Sequence, residues 1–188
     1  MSVPARPLRA DAARNRARVL ETAYETFAAE GLAVPIDEIA RRAGVGAGTV
    51  YRHFPTKEDL FGAVVDSRIR RIIGEGRALL DQPEPGEALF VFLRSMVLDW
   101  GATDQGLVDA LAGLGIDVDS VAPDADAAFR GLIGELLDAA QHAGTVRPDV
   151  GAAEIKTLMV GCQAMQGYDK SHAERVTGVV IDGLRAPS

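Results

Sequence analysis

Cysteine is nearly absent from this chain: Cys162 is the single one in 188 residues. No intrachain disulfide can form, and with no partner thiol the sequence gives little support to redox sensing, so Cys162 reads as a small core or pocket residue. The three histidines, His53, His142 and His172, show no ligand spacing with other His, Cys or carboxylates, and no metal site is expected. No uninterrupted apolar run approaches the ~20 residues that span a bilayer, and the first residues lack the apolar centre of a signal peptide. The expectation is a cytoplasmic protein with no membrane association. A nucleophile beside a base, a metal set or a cofactor loop at persuasive spacing is also missing, so no catalytic residue and no cofactor is assigned. Gly44-Val45-Gly46-Ala47-Gly48-Thr49 superficially suggests a phosphate cradle. It lacks the G-x-G-x-x-G spacing, no Lys follows its last Gly, and the segment before it reads as helix.

What is present is apolar material and a divided charge. Hydrophobic residues make up 47% of the chain, ample for a buried core. The net charge of −7 conceals an asymmetry: residues 1–77 hold 13 Lys/Arg against 10 Asp/Glu, whereas residues 78–188 hold 7 against 17. A basic front and an acidic remainder allow local attraction to phosphates while limiting indiscriminate binding to polyanions.

The basic part contains an informative pattern. Ile36, Ile39, Ala40 and Ala43 recur at i, i+3, i+4 and i+7, a one-face apolar stripe that opens with Pro35. Gly44 stands where a helix needs a left-handed closing residue, Val45 supplies an apolar plug, and a second helix follows from Gly46-Ala47-Gly48 through Phe54. Val50 and Phe54, four apart, face inward and leave Ala47, Gly48, Thr49, Tyr51, Arg52 and His53 on the outward surface. Small residues there permit close backbone approach to base edges, and hydroxyls and cations suit phosphate oxygens.

The run Ala43-Gly44-Val45-x-x-Gly48-Thr49-Val50-Tyr51-x-His53-Phe54-x-x-Lys57-x-x-Leu60 resembles the DNA-binding domain of TetR family transcriptional regulators. The resemblance covers about residues 9–62 and implies that Thr49, Tyr51, His53 and Lys57 contact phosphates, with Ala47, Gly48 and Tyr51 nearest the bases. Pro35 and Gly46 depart from the family pattern by removing two hydroxyls, which shifts the expected docking toward Arg42, Arg52 and Lys57. The competing reading is a helical interaction protein that keeps the turn without binding an operator.

Residues 9–30 read as one helix whose Leu20, Ala23, Phe27 and Ala28 cover the helical pair, ended by Gly31. Its leading segment carries Arg6, Arg9, Arg14, Arg16 and Arg18 and is expected to begin as a flexible arm against DNA. Thr56 and Asp59 signal the start of a fourth helix running to about residue 80. The expected organisation is all-α: a helix-turn-helix DNA-binding domain over residues 1–55, then a helical ligand-binding and dimerisation domain over 56–188 in which 56–80 is the link.

Beyond residue 80, breaks at 82–86, 101–106, 113–123 and 144–148 separate helical patterns without strand alternation. The 87–100 segment places Leu89, Phe90, Leu93, Val97 and Trp100 on one side, and a helix over about 123–142 carries Phe129, Leu132, Ile133, Leu136 and Leu137. The family resemblance implies an effector cavity among the middle helices, for which Phe92, Met96, Trp100, Phe129, Met159, Cys162 and Tyr168 are candidate liners. No Lys or Arg occurs between Arg94 and Arg130, where Asp99, Asp104, Asp109, Asp117, Asp119, Asp124 and Asp126 accumulate as an acidic rim. Two last helices, 150–168 and 172–185, show apolar stripes, the second with a Ser171–Glu174 capping box. The resemblance implies a two-fold dimer interface there, using Leu158, Met165, Val176, Val179, Val180 and Leu184. The expected partners are therefore double-stranded operator DNA, a small-molecule effector and a second copy of the chain, and the expected role is that of a repressor.

Overall fold

The computed structural model describes residues 6–100 and 123–187. Regular structure among them is helical: α1 Arg6–Glu30, α2 Ile36–Arg42, α3 Ala47–His53, α4 Lys57–Leu80, α5 Ala88–Arg94, α6 Pro123–His142, α7 Ala152–Tyr168 and α8 Ala173–Leu184. The all-α class is thus as expected, and the breaks at 101–106 and 113–122 lie outside the described residues. The chain divides into two compact units, one running to Arg68 and the other taking up from Ile69, so α4 contributes to both.

In the first unit the periodic residues of four helices meet. Val19, Leu20, Ala23 and Phe27 of α1, Ile36, Ile39 and Ala40 of α2, Val50 and Phe54 from α3 and its end, and Leu60, Phe61, Val64 and Val65 of α4 are all buried. Phe27 and Phe61 pack edge to face with centroids 5.7 Å apart, the arrangement that aligns one ring's positive edge with the other's negative face. α1 begins at Arg6, three residues before the expected start, so Arg6 and Arg9 belong to a helix rather than to a flexible arm.

Gly44 closes α2 with φ 63°. Val45 N–H reaches back to Ala40 O at 3.0 Å and Gly44 N–H to Arg41 O at 3.2 Å, the paired bonds that satisfy a helix's last carbonyls when a left-handed residue ends it. A side chain at position 44 would face the steric penalty of that conformation. α4 opens with a reciprocal cap. Asp59 Oδ2 accepts from Thr56 N at 3.0 Å and Thr56 Oγ1 at 2.7 Å, while Thr56 Oγ1 accepts from Asp59 N at 3.0 Å.

In the second unit, Ile72 and Ile73 of α4 join Leu89, Phe92 and Leu93 of α5, Leu132, Ile133, Leu136 and Leu137 of α6, and Ile155, Met159 and Cys162 of α7 in one core. Gly76 lets these helices approach: a Cβ there would lie 2.6 Å from Leu132 Cδ2 and 2.9 Å from Phe92 Cε2. After α5 the backbone widens into a π turn over Ser95–Trp100, and Gln163 Nε2 of α7 donates to Met96 O at 3.1 Å. The chain end is clasped. Arg147 N donates to Leu184 O and Ala186 N to Thr145 O, both at 3.0 Å, and Arg185 pairs with Glu87 while its guanidinium lies 4.3 Å from the Phe90 ring centre.

The expected Ser171–Glu174 capping box is not formed. Asp169 accepts from Ser171 N at 3.0 Å and Ser171 Oγ at 2.6 Å, and meets His172 Nδ1 at 2.7 Å; Glu174 turns instead to Arg94. An aspartate that bonds the backbone two residues on builds a local turn of its own, and here it takes the serine that the box required.

Candidate DNA-binding site

α3 is seven residues long and its backbone is started by Gly46, whose carbonyl accepts from Thr49 N at 2.8 Å. Val50 is buried to 1% and Phe54 to 3% exposure, which fixes the rotation of the helix about its axis. The remaining residues must then face out. Gly48, Tyr51, Arg52 and His53 are exposed, and Ala47, Thr49 and Lys57 are half-buried. Arg52 is folded along its own helix, Nε donating to Gly48 O at 3.1 Å and Nη2 to Thr49 Oγ1 at 3.3 Å. The geometry therefore brings seven of the eight expected contact residues onto α3 and the first residue of α4, as a surface with cationic, hydroxyl and small side chains and no carboxylate from α3 itself.

Arg42 is the exception. Its guanidinium is held by Glu30 at the end of α1 and by Glu38 on α2. Arg41 also grips Glu38, through two bonds of 2.7 Å. Hydrogen bonds from Arg41 and then Arg42 drop the Glu38 carboxyl from its ordinary 4.5 to about 2. Arg42 thus ties α2 to α1, and a phosphate would have to compete with two carboxylates for it. The signal was present in the sequence: Glu38 and Arg42 are four apart on one helix, the spacing of a surface ion pair.

The leading basic residues are likewise engaged where their side chains are described. Arg14 pairs with Asp11, Arg18 donates to Asn15 at 2.9 Å, and Arg16 lies 5.4 Å from the Phe54 ring centre. Arg16 therefore helps seat the end of α3 from the side of α1. The side chains of Arg6 and Arg9 lie outside the described set.

The residues expected to line an effector cavity separate. Phe92, Met96, Phe129, Met159 and Cys162 are buried together in the second unit's core, with the Phe92 and Phe129 rings 6.0 Å apart. Tyr168 is not among them: it stands 95% exposed at the last residue of α7, although it borders the same surface hollow as Cys162. The Trp100 side chain is outside the described set, as are Asp104, Asp109, Asp117 and Asp119 of the expected acidic rim. Asp126 of that rim is buried and neutralised, with Lys156 at 2.6 Å and Arg130 at 2.6 Å. Of the residues expected at a dimer interface, Leu158, Met165 and Val179 are exposed, Val176 and Val180 are half-buried, and Leu184 lies in the core of its own unit at 3%. Leu184 continues the buried stripe Ala173, Thr177 and Ile181 of α8, and its carbonyl accepts from Arg147 N.

Two short helices around a left-handed glycine, the second with its polar face outward, joined to a separate helical unit, define a helix-turn-helix regulator. Comparison with known proteins agrees. Residues 19–64 match the family described as "Bacterial regulatory proteins, tetR family". Residues 84–186 match "Transcriptional regulator SbtR-like, C-terminal domain". The crystal structure of the TetR transcription regulatory protein from Mycobacterium vanbaalenii is 62% identical, with a TM-score of 0.81 over 96% of this chain and all of that one. The TetR regulator SCO0520 from Streptomyces coelicolor is 32% identical, with a TM-score of 0.75 over 92% of this chain and 99% of that one. The regulator SrpR from Pseudomonas putida is 43% identical over 65 residues, 34% of this chain and 30% of its own. The matched segment thus spans less than half of that relative. The chain belongs to the TetR family of bacterial transcriptional regulators. No helix among the described residues is long and apolar enough to cross a membrane.

Proposed function

We propose that this regulator is a dimeric repressor that docks α3 in the major groove of an operator and is released by a small-molecule effector. The observation that carries the reading is the outward face of α3. Tyr51, Arg52 and His53 are presented to solvent by a helix whose Val50 and Phe54 anchor it in the core. Thr49, Tyr51, Arg52, His53 and Lys57 supply phosphate contacts, and Ala47 and Gly48 bring the backbone close to base edges. The leading Gly46-Ala47-Gly48 offers few side-chain donors, so groove shape contributes to recognition.

Two copies are required to place two such helices one DNA turn apart, ~34–36 Å. The exposed Leu158 and Met165 of α7 and Val179 of α8 supply an apolar face for that pairing. We assign DNA binding to residues 1–55 and effector binding with dimerisation to 56–188. α4 links the functions physically, since its Leu60, Phe61, Val64 and Val65 belong to one core and its Ile72 and Ile73 to the other. An effector that prefers a state with α4 displaced changes the spacing of the α3 helices and weakens operator binding; one with equal affinity for both states releases nothing.

The test is binding of the purified protein to DNA from its own gene neighbourhood, across a salt series and against a scrambled competitor. Specific, salt-sensitive binding with dimer stoichiometry supports the reading. Equal affinity for the scrambled DNA would sink it.

A further inference from the structure

A cavity of about 220 Å³ opens at the junction of α7 and α8, walled by Cys162, Met165, Val176 and Thr177, with Asp169 and His172 at its edge. Tyr168 borders the same cavity yet is 95% exposed, the most exposed aromatic among the described residues. We infer that in the two-fold dimer each copy inserts its Tyr168 ring into this cavity of the other copy. The inference rests on the dimeric reading above and names the residue that anchors it.

Size and chemistry agree. An apolar protein cavity of about 150 Å³ admits benzene, so one of this volume has room for a phenol ring and its methylene. A tyrosine carries an apolar body and a polar tip, and the cavity offers the counterpart: apolar walls and, at the edge, the Asp169 carboxylate already taking bonds from Ser171 and His172. The surrounding face is built for another helix pair. Leu158, Met165 and Val179 are exposed on it, and a Cβ added at Gly161 or Gly183 would meet nothing within 4 Å, so these positions leave room for close approach.

The second copy is the occupant because knob and hole lie on the same patch. A two-fold interface joins one patch to itself, so a surface carrying both a protruding ring and a matching hollow satisfies both copies at once. α7 and α8, 17 and 12 residues long, lie side by side, and a rise of 1.5 Å per residue with a diameter near 10 Å gives them faces roughly 25 and 18 Å long, about 430 Å² in projection. The flat projection alone is about half of the ~800 Å² per partner of a standard interface, and a protruding ring seated in a hollow adds area to it. Large aromatics in desolvated central pockets are the residues that dominate such contacts.

The experiment is dimer dissociation of the full chain by dilution, followed by sedimentation, for the wild type, Tyr168→Ala, Val176→Phe and the double variant, with circular dichroism melts to verify folding. Val176→Phe fills the hollow from inside. Each single change is expected to raise the dimer dissociation constant by about 30-fold or more, since each acts twice. The double variant is expected to be no weaker than the weaker single one, because blocking an empty hollow loses nothing further. A wild-type dimer whose constant Tyr168→Ala shifts less than twofold overturns the anchor and leaves the dimeric reading intact. A wild type that stays monomeric at high micromolar concentration overturns both. Additive effects in the double variant, or phenol binding to the intact dimer detected at the Met165 methyl, would give the cavity a different occupant and overturn the inference.

Discussion

Arg42 of α2 donates through both of its terminal nitrogens to the Glu30 carboxylate of α1, twelve residues earlier, the longer of the two bonds measuring 3.2 Å. A bidentate pair fixes orientation as well as distance, so the angle at which the helix before the turn leaves α1 is held by a guanidinium fork. Glu38 shares that fork. With its carboxyl at about 2 rather than 4.5, Glu38 is a group whose charged form the fold favours. Its contribution is present in full above about pH 4.5 and disappears as pH falls through about 2. Glu38→Gln should therefore flatten the acid limb of the stability profile in that window and leave pH 7–8 behaviour little changed in slope. Acid titration of wild type and variant by circular dichroism checks this; superimposable acid limbs would remove Glu38 from the account.

The same pairing separates two kinds of arginine and lysine on the DNA-binding unit. Lys57 sits at the first turn of α4 beside the α3 surface, whereas Arg42 is spent on carboxylates. Lys57→Ala should weaken operator binding and lower the slope of log affinity against log salt by about 1, the signature of one lost phosphate contact. Tyr51→Ala should cost roughly tenfold or more in operator affinity with a melting temperature close to wild type, because its ring is 43% exposed and outside the core. Arg42→Ala should do the reverse: lower the melting temperature and leave the salt slope within error. A fall in slope for Arg42→Ala would restore it to the phosphate contacts.

How far the sequence could be read depends on what kind of interaction decided each feature. Helices α2 to α4 follow from apolar spacing, a closing glycine and a capping pair that act within a few residues, so their bounds, the inward Val50 and Phe54 and the outward Tyr51 were legible. The Ser171–Glu174 box failed because two local motifs competed for one hydroxyl and Asp169 was nearer. The π turn at Ser95–Trp100 was hidden because it moves backbone bonds while leaving Met96 and Val97 buried as a regular helix would. Leu184 lies inward because α8 buries the stripe Ala173, Thr177, Ile181 and Leu184, a choice of face between this stripe and that of Val176, Val179 and Val180 that periodicity alone does not make. The ion pairing of Arg42 was only half legible: its i, i+4 partner Glu38 was visible, whereas Glu30 enters only when α1 folds back.

Gly76 marks where two requirements conflict. Within a helix interior alanine is favoured over glycine by about 1 kcal/mol, yet a side chain here would enter the space of Leu132 and Phe92 at 2.6 and 2.9 Å. Both neighbours are at or below 1% exposure and cannot swing into solvent. Overpacking wins, and Gly76→Val should destabilise the protein by about 2 kcal/mol, measured by urea denaturation. Gly74, two residues earlier, is exposed and has nothing within 4 Å of an added Cβ, so Gly74→Val should be close to neutral. Equal effects at both positions would show that helix propensity rather than close packing governs this stretch of α4.

Cys162 tests the core from the inside. It is 4% exposed on α7, and burial pushes its thiol above the usual 9.0. Only a thiolate attacks an electrophile at an appreciable rate, so both access and ionisation oppose reaction. At pH 8 the native protein should be alkylated by iodoacetamide at least about 100-fold more slowly than the urea-unfolded chain, because reaction must await local opening. The cavity beside Cys162 supplies a second comparison. If a second copy's ring covers that hollow, dilution to monomer or the change Tyr168→Ala should quicken alkylation, whereas Leu158→Ala, on the same helix but away from the cavity lining, should quicken it only as far as it dissociates the dimer. Fast alkylation of the native wild type at high concentration would contradict the burial of Cys162 itself, and equal rates for wild type and Tyr168→Ala at matched dimer fraction would contradict the covering ring.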